Sequence, residues 1–458
     1  MTRRKQAPQQ LTAFSGVSAV YLVLLLTFFL FYVGGDGYLS ILKHKYDVFN
    51  WISAAYIVVM LLLPLEYLLI SEKKTFRLRD VVSNNSWSQR LIAAYLLLTI
   101  VSALLSPHQD LVWFGGDRHE GAVTIGLSCL CFLLLSKTAR PARWLIDLCS
   151  VAVLLESVLC ILQLSGRNPF ALYPHGLTYY DADVKYSGAF LSTIGNVDFL
   201  GAFFCITIPI LWSSLFVLKD RRRWLYVPVV MTALYVVVKM EVMLCWLGLA
   251  LGAVVTLFLL ADGSRTLRWA LFAGLCLLGA SALVLIWFVD LPMKLPHEIH
   301  LLLHGSADFS LDSGRLRIWR DVLARVPEHF WFGTGPDTMR CSDIAPFTHF
   351  DEALQIQRVG KIDAAHNEYL NILYHQGIFA LLAYVGALAS ALATGLKQCG
   401  KDPRLKLLIP AFSAYLIQAV FNISMFVSAP FFWAVFAMIC GLINEKTKFN
   451  ERGERKQS

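Results

Sequence analysis

The sequence predicts an all-α polytopic membrane protein of about twelve transmembrane helices, with cytoplasmic N- and C-termini and one large extracytoplasmic loop carrying short helices. Three observations predict it. Of the 458 residues, 57% are hydrophobic and only 16% charged, with a mean hydropathy of +0.58, which excludes an ordinary water-soluble fold. A membrane-crossing helix needs roughly 20 mostly apolar residues. Segments of that kind stand near 12–33, 48–70, 89–106, 121–136, 143–164, 189–217, 224–239, 242–261, 268–290, 371–395, 407–426 and 430–444. The third observation is the alternation of basic loops, because lysine and arginine in short loops favour the cytoplasmic side.

With the N-terminus inside, the inner side collects Arg3–Lys5, EKKTFRLRD, SKTARPAR, KDRRR, DGSRTLR, KQCGKDPRLK and the basic tail. With Arg90 at the inner end of the third helix, these regions hold 26 of the 40 basic residues, against 6 in the short outer loops. The remaining 8 lie in the loop 291–370, which is too long to obey the rule. The chain therefore divides into helices one to nine (1–290), a large extracytoplasmic loop (291–370), and three final helices with a basic tail (371–458). The net charge of +8 follows from this topology and from attraction to anionic membrane lipids, and implies no nucleic-acid partner. The ten cysteines lie mainly in apolar segments, with only Cys341 in the long loop, and form neither a disulfide framework nor a metal-ligand spacing. The N-terminal apolar stretch exceeds a usual signal core and lacks a small-residue cleavage site, so it reads as the first helix.

One loop of about 80 residues among short ones is where chemistry is expected. Its first notable stretch, HGSADFSLDSGRLRIWRDVLARVPEHFWFGTGPDTM, predicts a helix capped by Asp312 or Ser313 and stopped at Pro327. Leu316, Trp319, Leu323 and Val326 form its expected packed stripe, leaving Arg315 near the N-terminal end. Arg317 and Arg320 suit a solvated helix face, and Gly333–Gly335 a tight turn. The second stretch is AAHNEYLNILYHQG at 364–377, with Asp363 as expected N-cap and His366 at the third helical position. There the helix dipole disfavours added positive charge, so the imidazole stays neutral and able to accept a proton, beside a natural seat for an anion. Arginine can grip phosphate oxygens bidentately, so Arg315 near such a histidine points to transfer from a phosphate-activated donor to a hydroxyl. His349 and His375 read as structural.

Charges inside apolar segments need a partner or water. Lys239 and Glu241 are an expected pair near an outer boundary, while Asn196, Asp198 and Glu156 are candidates for facing a cavity. Pro209 and Pro228 are expected kinks.

The order SGRLRIWRDVL, FWFGTGPDTM and AHNEYLNILYHQGIFALLAYV, in or just after one large outer loop, resembles the superfamily of O-antigen ligases and O-antigen polymerases. WFGGDRHEG at 113–121, STIGNVDFLGAF at 192–203 and NISMFVSAPFFWAVFAMICGL at 422–442 look like its other landmarks. The resemblance implies cofactor-free, metal-independent transfer of a glycan from an undecaprenyl-pyrophosphate carrier to a lipid or glycan hydroxyl. The transfer would invert the anomeric carbon at the outer face of the cytoplasmic membrane. By the same resemblance His366 is the general base and Arg315 engages the pyrophosphate. Arg118 is the arginine of the early outer loop, and Asn367 and Glu368 orient groups or meet the acceptor. Where relatives often carry a Ser-Arg pair this chain has Val242 and Met243, leaving Lys239 as a point donor without the planar fork. Lys185 stands near where relatives carry another arginine. A polymerase uses the same donor site, so these motifs do not separate ligase from polymerase. A lipid-linked oligosaccharide transporter would also suit twelve helices, but the halves of this chain do not match as repeats.

Overall fold

The computed structural model describes residues 9–70, 85–116, 118–173, 190–261, 264–291, 294–305, 315–351 and 356–454. Its helices are α1 (Gln9–Leu24, continued by a π-turn over Leu25–Phe29), α2 (Ile41–Ile70), α3 (Trp87–Leu105), α4 (Ala122–Thr138), α5 (Arg143–Leu164), α6 (Val197–Val217), α7 (Tyr226–Met240), α8 (Met243–Leu260), α9 (Arg265–Phe288), α10 (Lys294–Leu303), α11 (Arg315–Leu323), α12 (Glu368–Gln398), α13 (Leu405–Gln418) and α14 (Ala429–Glu454). A helix lies in every apolar stretch read from the sequence. Among the described residues, seven helices are long and apolar enough to cross a membrane. Shorter apolar helices lie at Ala13–Phe29, Ala122–Thr138, Leu277–Phe288, Leu405–Gln418 and Ala429–Glu445. The chain is a polytopic helical membrane protein.

Local chemistry sets several helix starts. Ser86 and Gln89 form a reciprocal capping box on α3, Asn196 caps α6 by accepting from Asp198 and Phe199 N–H, and Ser264 caps α9. Pro209 lies inside α6, whereas Pro228 falls in the first turn of α7, where a missing N–H costs little. The backbone break among these helices is at Gly377 of α12. The core centres on α6, whose Phe199, Leu200, Phe203, Phe204, Ile208 and Leu211 are buried. Helices α6, α8 and α13 pack so closely that a Cβ on Gly248 would lie 2.7 Å from Cys205 Sγ and 2.8 Å from the Ala414 carbonyl oxygen. Helix α9, apolar on every side, keeps Trp269, Leu277, Leu278 and Phe288 exposed, a surface suited to lipid.

Two buried charged groups find partners inside the bundle. Lys45 Nζ donates to the Phe29 and Leu30 carbonyls, which the end of the π-turn leaves open. Glu156 is fully buried and accepts from the Thr193 hydroxyl and backbone N–H, so it links α5 to the segment before α6. Lys239 and Glu241 are both exposed, and no ion pair joins them. The expected pair is absent because Glu241 has a left-handed backbone (φ 55°) that ends α7.

The large loop holds α10, α11 and an antiparallel hairpin, β1 (Phe347–Asp351) with β2 (Ile356–Gly360), in which Phe347 faces Gly360 and Asp351 faces Ile356. This hairpin is an addition to the expected helices. The expected cap at Asp312 or Ser313 lies outside the described residues. The packed stripe of α11 matches expectation in part: Val326 is buried just beyond the helix and Trp319 half-buried, as expected, but Arg315 and Val322 are buried where Leu316 and Leu323 are exposed. The helix is turned by its anchors, Asp198 at Arg315 and the Ala365 carbonyl at Trp319, rather than by its leucines.

Candidate active site

Three loop segments converge above α3, α6 and α12. The first support is the break in α12. At Gly377 (φ 81°) the helical ladder stops, and the Tyr374 and His375 carbonyls accept instead from Thr334 N–H (3.1 Å) and Gly335 N–H (2.8 Å). Ile378 N–H in turn donates to the Phe330 carbonyl at 2.9 Å. The two backbones touch, so glycine is required on both sides. A Cβ on Gly333 would sit 2.2 Å from the His375 carbonyl carbon, and one on Gly377 2.2 Å from the Trp331 carbonyl oxygen. His375 Nε2 accepts from Met339 N–H at 3.2 Å, a structural use.

The second support is Asp337, with φ 57°, whose Oδ2 accepts from Gly116 N–H (2.7 Å) and Glu120 N–H (3.2 Å). These bonds fold the early loop, which also carries left-handed His119 (φ 53°) and the half-buried Arg118. Glu120 Oε1 accepts from Phe426 N–H at 3.0 Å, tying the loop to the segment before α14. Burial raises the Asp337 carboxyl to about 6 against the opposing pull of the two N–H donors, and burial together with Asp337 pushes Glu120 well above the usual range. Beneath this loop lies a cavity of about 40 Å³ lined by Glu120, Asp337, Glu368, Asn371, His375 and Gln376 among others, room for about one water.

The early loop presents Arg118 to Asp363, with Nε to Oδ2 at 2.8 Å and Nη2 to Oδ1 at 3.1 Å, a planar two-bond pair. Asp363 is therefore occupied by Arg118, and the N-cap of α12 is Asn367, whose Oδ1 accepts from Leu370 N–H at 3.0 Å. This corrects the expected register. His366 lies just before the cap, outside the helix, in a left-handed conformation (φ 48°) that a non-glycine residue adopts only at a cost.

Neighbouring bonds hold the segment in place. Ala365 N–H donates to Asn371 Oδ1 (3.1 Å), and the Trp319 indole N–H donates to the Ala365 carbonyl (2.9 Å). One turn earlier on α11, Arg315 Nη2 reaches Asp198 Oδ2 at 3.3 Å, and the Asp198 carbonyl accepts from Asn422 Nδ2 at 3.1 Å. Burial first, then the Arg118 and Arg315 guanidiniums, lower the His366 imidazole to about 4, with Asp363 opposing them. The ring is neutral at physiological pH because of burial and two cations, where the sequence suggested a helix dipole.

His366, Arg315 and Arg118 are thus brought into one electrostatic group. Asn367 acts as a cap. Glu368 is buried, and its carboxylate accepts from the Tyr384 and Tyr415 hydroxyls while its N–H donates to the Ala419 carbonyl; it lines the small cavity beneath the loop. Lys239 is exposed, and no hydrogen bond or ion pair joins it to this group. Lys185 lies outside the described residues. Val242 stands at the start of α8 with Cγ1 3.9 Å from where a Gly201 Cβ would be, one turn beyond Asp198. Among the described residues no set of three or more His, Cys, Asp or Glu side chains is placed to hold a metal ion. Sequence reading passed over Asp337, Glu120 and the hydrogen-bonding role of Trp319, although Asp337 lies two residues beyond the glycine turn.

A family model described as O-antigen ligase matches residues 229–385, a span from within α7 to within α12 that includes Arg315 and His366. No curated protein matches the chain.

Proposed function

We propose that this chain, whose residues 229–385 match a family model described as O-antigen ligase, transfers a glycan from an undecaprenyl-pyrophosphate carrier to a hydroxyl acceptor with His366 as general base. The observation that carries the reading is the gathering of His366, Arg118 and Arg315 into one electrostatic group, in which burial and the two guanidiniums disfavour protonation of the imidazole. His366 accepts the proton of the acceptor hydroxyl as its oxygen bonds to the anomeric carbon. The bond from that carbon to the pyrophosphate oxygen breaks on the opposite face, which inverts the centre, and the electron pair leaves with the carrier pyrophosphate. Arg315 receives the growing negative charge, exchanging its long contact with Asp198 for phosphate oxygens.

A base held at about 4 is weak in the resting protein. The donor's pyrophosphate offsets the two guanidiniums that hold the imidazole down, so bound donor itself raises the basicity of His366. The distribution of basic residues supports an outer-face site at the cytoplasmic membrane. Ligase and polymerase share this donor chemistry and differ in whether the acceptor is a final lipid or glycan hydroxyl or another carrier-linked unit.

The test is His366→Ala in cells, with glycan transfer scored on gels and protein abundance measured alongside. Removal of a general base lowers the rate by about a hundredfold or more, and normal transfer by the variant would sink the proposal.

A further inference from the structure

Arg118 is held by Asp363 in a planar two-bond pair. Its Nε and Nη2 face both oxygens of Asp363 at 2.8 and 3.1 Å, with each side chain about one quarter exposed, whereas the contact from Arg315 Nη2 to Asp198 is longer, at 3.3 Å. Arg118 sits on a loop folded by Asp337, and Asp363 lies 245 residues away, three positions before His366. Between them Ala364 and Ala365 are fully buried, and Ala365 is held at its N–H by Asn371 and at its carbonyl by Trp319. The chain then enters a left-handed turn at His366 and is capped at once by Asn367. A left-handed non-glycine residue persists only where its surroundings over-determine it. The Arg118–Asp363 pair is the charged member of that set of restraints.

We propose that Arg118 is a positioning residue for His366: it acts through Asp363 as a strut that fixes the 363–366 segment, rather than as a ligand of the donor's phosphates. The inference rests on the reading of His366 as the base. A two-bond guanidinium–carboxylate pair holds distance and plane together, which a point contact cannot do. The same pairing occupies the edge of Arg118 best shaped for a phosphate.

The experiment uses the full chain in detergent and two readouts, glycan transfer and direct binding of undecaprenyl pyrophosphate, for Arg118→Ala, Asp363→Ala, and the exchanged pair Arg118→Asp with Asp363→Arg. A strut predicts that both single variants bind the carrier within about twofold of the wild type yet lose transfer through kcat, with donor KM little changed. The exchanged pair then recovers about tenfold or more over either single variant, the sign of direct coupling. Loss of carrier binding in Arg118→Ala but not in Asp363→Ala overturns the proposal, as does an exchanged pair no better than the single changes. Should an alanine variant fail to accumulate, Arg118→Lys and Asp363→Asn keep the bulk and carry the same comparison. Failure of the underlying reading looks different: His366→Ala would transfer normally, or the wild type would not bind the carrier.

Discussion

Trp319 donates its indole N–H to the carbonyl oxygen of Ala365 at 2.9 Å, tying α11 to the residue that precedes His366. Arg315 lies one turn before Trp319 on the same face, so one hydrogen bond sets the spacing between the arginine and the histidine. Trp319→Phe keeps most of the ring and removes the donor, leaving a buried carbonyl unpaired. The expected outcome is a loss of roughly 1–2 kcal/mol in stability, seen as a lowered Tm. A several-fold fall in transfer should accompany it at near-normal abundance, because positional errors at a site are costly to rate. Full activity in the phenylalanine variant would count against this link.

The electrostatics predict a pH dependence with a definite sign. A general base works only when unprotonated, so the transfer rate rises with pH through its pKa. With His366 held at about 4 by burial, Arg118 and Arg315, the acid limb of kcat/KM in donor-free protein lies near pH 4. The acid limb of kcat, which reports the donor complex, lies higher, since the pyrophosphate offsets both cations. Replacing Arg315 by glutamine removes one of the lowering charges, so the His366 titration followed by NMR should move upward. A downward move would contradict the assignment of causes.

The helices were legible because a span needs a long apolar run, and such runs are local. His366 and Arg315 were legible because they sit at the mouths of helices in one long loop. The cap of α12 was not: Asp363 and Asn367 are both good caps by residue type, and the choice was made by Arg118, a partner remote in sequence. The buried face of α11 was misjudged for a similar reason. Helical spacing fits a leucine stripe or the Arg315, Trp319 and Val322 stripe equally, and an arginine reads as solvent-facing until Asp198 is known to await it. Gly333 read as an ordinary turn residue and Gly377 lay inside a segment expected to be helical, and only the close backbone contact between their segments reveals why both are glycine.

That contact predicts a stability effect separable from chemistry. In Gly377→Ala the new methyl would lie 2.2 Å from the Trp331 carbonyl oxygen, at a φ that alanine rarely adopts. The expected cost is at least about 2 kcal/mol, measured as a lowered Tm in detergent and reduced abundance in the membrane. Since the turn 331–339 also carries Asp337, which folds the early loop, displacement there should lower transfer as well. An alanine variant with unchanged Tm would show that the turn does not bear on α12 this closely.

Arg315 gives the most direct test of how the donor is held. Its guanidinium is buried, faces Asp198 through one nitrogen at 3.3 Å, and has the planar geometry that matches two phosphate oxygens at once. Lysine at this position keeps the charge but offers a compact ammonium without the fork. Arg315→Lys should therefore retain abundance while losing nearly as much transfer as Arg315→Ala, with the loss falling on kcat/KM for the donor. Rescue by lysine to wild-type rates would mean that charge alone suffices, and the bidentate grip would have to be abandoned. If both variants lose transfer while Asp198→Asn tightens undecaprenyl-pyrophosphate binding, the aspartate, 3.3 Å from Arg315 Nη2, competes with the donor for the same guanidinium.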